Sequence, residues 1–114
     1  MNEEVKNYID KYPDAIKSMF CQLRELLLDC INCEVEEKLW AKLPSYYVGG
    51  NFVRLIPFKD HINVEAKAVA EHFDMLDGYK LTPKGMIQIY LKDALPVQAL
   101  ENIFTETLSK VHYE

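Results

Sequence analysis

Tyr46-Tyr47-Val48-Gly49-Gly50-Asn51-Phe52-Val53-Arg54-Leu55-Ile56 reads as two β-strands joined by a tight turn. Tyrosine, valine, phenylalanine and isoleucine suit a pleated, half-buried surface. Gly49-Gly50-Asn51 supplies the positive φ angles that hairpin turns require. A hairpin at this point, rather than a crossover, commits the sheet to antiparallel pairing. Just upstream, Lys38, Trp40 and Lys42 alternate with Leu39, Ala41 and Leu43. That period of two marks a half-buried strand from Glu36, which Pro44 is expected to end. Downstream, His61 to Glu65 reads as a further strand after Lys59-Asp60.

The helical period takes over on either side. Glu3 to Tyr12 reads as a short helix with Val5, Tyr8, Ile9 and Tyr12 on one side. Pro13 interrupts it and suits the first turn of the next helix, where a missing N–H does no harm. From about Asp14 to Ile31, Ile16, Phe20, Leu23, Leu27 and Cys30 form one apolar stripe, flanked by Met19, Leu26 and Ile31. Ala66 to Leu76 has helical spacing with Val69, Phe73 and Leu76 turned inward, and Asp77-Gly78 closes it. Thr82-Pro83-Lys84-Gly85 is a turn before a strand from Met86 to Leu91, in which Ile87, Ile89 and Leu91 point one way. Pro96 opens a last helix that buries Leu100, Ile103, Phe104 and Leu108. The expected architecture is α+β, with helices packed on a mainly antiparallel sheet in one domain over residues 1–114.

Charge is distributed unevenly. Residues 1–37 hold nine Asp and Glu against four Lys and Arg, and so carry the whole net charge of −5. Residues 38–114 hold nine of each sign. An acidic balance disfavours nucleic acid as a partner, because phosphate backbones are met by basic surfaces. No apolar run approaches the roughly 20 residues a membrane span needs. Met-Asn-Glu-Glu-Val-Lys lacks the basic and apolar regions of an export signal. Three cysteines cannot all pair within one chain, which favours a reducing compartment. On these readings a cytoplasmic protein is expected.

Glu36-Glu37-Lys38-Leu39 through Pro44, then Phe58-Lys59-Asp60-His61-Ile62, then Gly78-Tyr79-Lys80 and Lys84-Gly85-Met86-Ile87-Gln88-Ile89, together resemble the YdhG-like family. The resemblance runs from about Tyr8 to Leu108. Its most specific marks are the aromatic-Lys-x-His-Ile strand start and the Lys-Gly-x-Ile-Gln turn. Trp40-Ala41-Lys42-Leu43 and Asn63-Val64-Glu65-Ala66 depart from the family's usual pattern. The resemblance implies a small α+β domain. Some members are described as frataxin-like intracellular iron chaperones, which implies labile iron without a tightly bound cofactor, and an iron-acceptor protein as partner.

Two groups of residues qualify as candidate sites. Cys21, Glu25 and Asp29 lie four apart on the solvent face of the second helix, followed by Glu34, Glu36 and Glu37. Carboxylates are hard oxygen donors, so Glu25, Asp29, Glu34, Glu36 and Glu37 are the expected iron ligands, with Cys21 optional. The second group is the outward face of the sheet, where Trp40, Lys42, Arg54 and Tyr90, rimmed by His61 and Lys84, set cations beside rings. Such a face suits a small organic anion or a protein partner. Cys30-Ile31-Asn32-Cys33 sits at a helix C-terminus, the wrong end for lowering a thiol pKa. His61, His72 and His112 lack His-x3-His or His-x3-Glu spacing, and no nucleophile–base motif is visible, so a binding protein rather than an enzyme is expected.

Overall fold

The structure is a computed structural model and describes residues 1–109. Helix α1 spans Glu3–Ile9 and starts at Asn2, whose Oδ1 accepts from the Val5 amide at 3.1 Å. Glu3 and Glu4 add negative charge to the first turn, where the helix dipole favours it. The helix stops short of Tyr12 because Pro13 keeps the residue before it out of helical geometry. Pro13 itself lies one position outside α2 (Asp14–Cys30) rather than in its first turn, with an extended ψ of 152°. Its carbonyl accepts from the Ile16 and Lys17 amides. The α2 stripe is buried as the spacing predicts at Ile16, Met19, Phe20, Leu23 and Leu27, while Cys30 is half-buried.

The sheet is antiparallel throughout the described residues. Its strands are β1 (Glu36–Trp40), β2 (Leu43–Val48), β3 (Asn51–Pro57), β4 (His61–Ala66), β5 (Lys80–Leu81) and β6 (Ile87–Tyr90), in the order β1-β2-β3-β4-β6-β5. Helices α2 and α3 (Val97–Thr107) pack on β3 and β4, and α1 rests against β1. Burial alternates along the strands. Tyr46, Val53, Leu55, Ile62, Val64, Ile87 and Ile89 are closed off beneath the helices, while their neighbours face the other way. Leu100, Ile103, Phe104 and Leu108 complete the core from α3. No helix among the described residues is long and apolar enough to cross a membrane.

Four local expectations need correcting. The strand from Glu36 does not run to Leu43: it turns at Ala41-Lys42, both in left-handed conformation with φ of 52° and 67°. A two-residue hairpin with both central φ angles positive matches strand twist, and here it forms without glycine, asparagine or aspartate. Pro44 therefore lies inside β2, opposite Leu39. It sits where β1 needs no N–H from it, and pairing of β2 with β3 ends at Ser45 opposite Arg54. Residues 66–76 form two short 3-10 helices, Lys67–Glu71 and Phe73–Met75, instead of one α-helix. The break at His72 turns Phe73 out into solvent, while Val69 and Leu76 stay buried. Finally, β6 ends at Tyr90. Leu91 leaves the strand to donate its amide to the Asp60 carbonyl, and its side chain is exposed.

Candidate functional site

The sheet's outer face is built by the strand alternation itself. Lys38 and Trp40 of β1, Ser45 and Tyr47 of β2, and Phe52, Arg54 and Ile56 of β3 all point away from the helices. Trp40 and Phe52 hold the Arg54 guanidinium between them, with ring centroids 4.6 and 4.4 Å from its central carbon. Arg54 Nη1 also donates to Glu65 Oε1 at 3.0 Å, the residue opposite it on β4. Tyr47 packs on Phe52 at 5.6 Å, and Lys38 Nζ lies 4.7 Å from the Tyr47 ring. Ser45, in register between Lys38 and Arg54, is wholly buried under this layer. Trp40 nonetheless leaves 49% of its surface in solvent.

A second stack closes the other side of the face. Phe58, His61 and Tyr90 lie ring on ring, at 4.4 Å for the first pair and 4.6 Å for the second. Asp60 Oδ1 sits 2.8 Å from His61 Nδ1. Lys80 Nζ is 5.6 Å from the Tyr90 ring. Phe58 is 42% exposed. Asn63 lies between the two clusters, opposite Ile56 and Gln88. The result is a broad surface of flat groups with cations parked on rings, and the helices leave it uncovered.

No family model, curated protein or solved structure matches the chain. The chemistry of the site therefore rests on its own geometry. Trp40, Arg54, His61 and Tyr90 share the outer face, as the alternation predicts. Lys42 does not lie on a strand, because the turn at Ala41-Lys42 carries it to the rim. Lys84 sits in the β5–β6 turn beyond the end of β4, at the opposite end of the sheet from His61. Tyr47, Phe58, Lys80 and Glu65 belong to the face and were not singled out from the sequence. Tyr47 and Glu65 were legible in principle, since each continues a period of two from Ser45 and His61. Phe58 and Lys80 were not, because one follows its strand and the other lies in a two-residue strand.

The acidic residues separate. Glu25 and Asp29 stand exposed on α2, Glu34 is exposed in the loop, and Glu36 lies on the outer face with Lys38 Nζ at 3.6 Å. Glu37 points inward. Its Oε2 accepts from Arg24 Nε at 2.6 Å and the Tyr46 hydroxyl at 2.7 Å. Its Oε1 accepts from the Asn2 amide at 2.7 Å and Arg24 Nη2 at 3.2 Å. Burial pushes the Glu37 carboxyl up, but Arg24, the Asn2 amide and Tyr46 outweigh it and hold it below its ordinary value. Burial and the neighbouring carboxylate push the Tyr46 phenol far up, so it stays a donor. Glu37 thus joins α1, α2, β1 and β2 and is committed to that role. Among the described residues, no three His, Cys, Asp or Glu side chains are placed to share a metal ion.

Of the thiols, Cys21 and Cys33 are exposed and unpaired with each other. Burial raises the Cys30 thiol, and its Sγ donates to the Leu27 carbonyl at 3.4 Å. His72 Nε2 lies 3.0 Å from Glu106 Oε1 of α3. His112 lies outside the described residues.

Proposed function

We propose that the chain is a non-catalytic binding protein whose outer sheet face receives a protein partner with an acidic contact surface. The observation that carries this reading is the uncovered layer joining Lys38, Tyr47, Phe52, Arg54 and Trp40. Tryptophan, tyrosine and arginine dominate the energetics of protein interfaces, because they bring large area and directed polar groups at low entropic cost. A wet sheet face normally carries scattered polar side chains, whereas this one gathers rings, two of them close to half exposed. Its breadth suits a protein surface better than a small molecule, which seeks a concave pocket.

Charge supplies the sign of the partner. Glu36 answers Lys38, Glu65 answers Arg54 and Asp60 lies against His61, while Lys42 and Lys80 have no carboxylate within ion-pair distance among the described residues, leaving four Lys and Arg against three carboxylates. The face is therefore mildly basic, opposite in sign to the acidic helices, and electrostatic complementarity favours an acidic partner. Binding is expected to weaken with salt. The test compares the immobilised protein with its Trp40→Ala variant for retention of acidic proteins from extract of the source cells. One discrete species held by the wild type, lost from the variant and eluted by salt, supports the reading. Equal retention by both overturns it.

Iron carriage is the alternative, favoured by the solvent exposure of Glu25 and Asp29 on one helical face. Its ligands would be Glu25, Asp29, Glu34 and Glu36 without Glu37, and delivery would be to an acceptor protein at the same acidic front.

A further inference from the structure

A groove of about 490 Å³ opens at the end of the sheet away from His61. The β2–β3 turn, the end of β4, the first 3-10 helix, the β5–β6 turn and the end of α3 enclose it. Phe52, Ala66 and Ala70 give the lining its apolar part, and Lys67 from the first 3-10 helix and Lys84 from the β5–β6 turn also line it. Neither lysine has a carboxylate within 4.0 Å among the described residues. The one carboxylate of the lining, Glu65, is already bonded to Arg54. Thr107, also in the lining, accepts at Oγ1 from the Ala68 amide at 3.0 Å. The groove opens to solvent, with Gly50 and Gly85 in its lining.

This combination has a specific chemistry: a volume within the usual range for small-molecule sites, an apolar part of the lining and two lysines outside any ion pair among the described residues. We infer that the groove binds a small organic oxyanion, a phosphate or carboxylate carried on a flat apolar body. The oxyanion lies between Lys67 and Lys84, and the body lies on Phe52 and the two alanines. Lysine suits this task as a mobile point charge that follows either kind of oxyanion. The inference does not rest on the protein-partner reading, because Lys67, Lys84, Ala70 and Thr107 lie off the outer face.

Amide-resolved NMR titrations with phenyl phosphate, benzoate and inorganic phosphate test it on the full chain. Phenyl phosphate or benzoate is expected to shift Gly50, Phe52, Ala66, Ala70 and Gly85 saturably, with inorganic phosphate weaker. Lys67→Gln with Lys84→Gln is expected to weaken binding by about tenfold or more, the weight of two water-screened charge contacts. Both lysines are exposed, so the double variant keeps its fold, which its thermal midpoint checks. Phe52→Leu gives a second readout, weakening phenyl phosphate while sparing inorganic phosphate. Equal affinity for all three anions means an adventitious ion only and overturns the inference. So does saturable binding that survives loss of both lysines, or no saturable shift at these amides.

Discussion

Replacing Glu37 by glutamine is the sharpest single test of how this fold is held. The carboxylate takes four hydrogen bonds from three elements: two from Arg24, one from Tyr46 and one from the Asn2 amide. Glutamine keeps the shape but loses the charge, and its amide donors face the donors of Arg24. Removing one partner of a buried ion pair costs about 3–5 kcal/mol, because the other is left uncompensated. Side-chain exposure is 10% for Glu37 and 20% for Arg24, so water recovers part of the loss and the expected cost is about 3 kcal/mol. Unfolding entropy of about 2.1 cal/mol/K per residue over 114 residues makes each kcal/mol worth about 4 °C. The thermal midpoint should therefore fall by about 12 °C. The pH dependence has a defined sign. A carboxyl whose folded-state pKa is lowered stabilises the fold above its unfolded value, about 4.3, and loses that as pH falls through the folded value. The gap between wild type and Glu37→Gln should thus be widest near neutral pH and close as the solution is acidified below about pH 4.3. Calorimetric scans at a series of pH values measure both quantities. A variant within about 0.5 kcal/mol of wild type, with a parallel acid limb, would mean that the Glu37 network does not hold the fold together.

The remaining predictions concern separate parts of the molecule. Tyr46→Phe removes one hydrogen bond to a charged group and should cost about 2 kcal/mol in chemical denaturation, leaving the other donors to Glu37 in place. Ala41→Asn with Lys42→Gly puts the preferred residues into the left-handed hairpin turn and should raise stability by about 1 kcal/mol; a loss would mean the turn is held by contacts of its present side chains. Cys30 should be alkylated more slowly than Cys21 and Cys33 at mildly alkaline pH, as followed by peptide mass spectrometry, because burial raises its thiol; equal rates would contradict that. Anaerobic titration with ferrous iron should give no saturable heat, since the acidic side chains do not converge among the described residues; a saturable site broadening amides confined to residues 25–36 would favour the iron carrier instead.

Periodicity made the core legible. The α2 stripe and the inward residues of β3, β4 and β6 are where strict 3.6 and 2.0 spacings place them, because one face of each element must be buried. Register was not legible, and most of the site depends on it. That Arg54 lies opposite Glu65 follows from the turn between β3 and β4, and that Trp40 comes within reach of Arg54 follows from where the Ala41-Lys42 turn falls. That turn carries none of the residues that usually announce left-handed geometry. The same blind spot moved Lys42 off the face and put Pro44 inside a strand. Glu37 was misplaced for a different reason: in an acidic run it resembles its neighbours, and only strand parity distinguishes inward Glu37 from outward Glu36. The break at His72 defeated the helical reading of residues 66–76, since Val69 and Leu76 fit either geometry and only Phe73 separates them.

If this protein acts through the outer sheet face, a partner must come within crosslinking reach of that face. A photo-crosslinking side chain placed at Lys80, beside the Tyr90 stack, tests it directly in extract of the source cells, with the same side chain at Glu25 on the acidic helix as the control. One discrete adduct with an acidic protein is expected from position 80, abolished by Trp40→Ala, and none from position 25. An adduct from position 25 alone, or one from position 80 that survives Trp40→Ala, would contradict it.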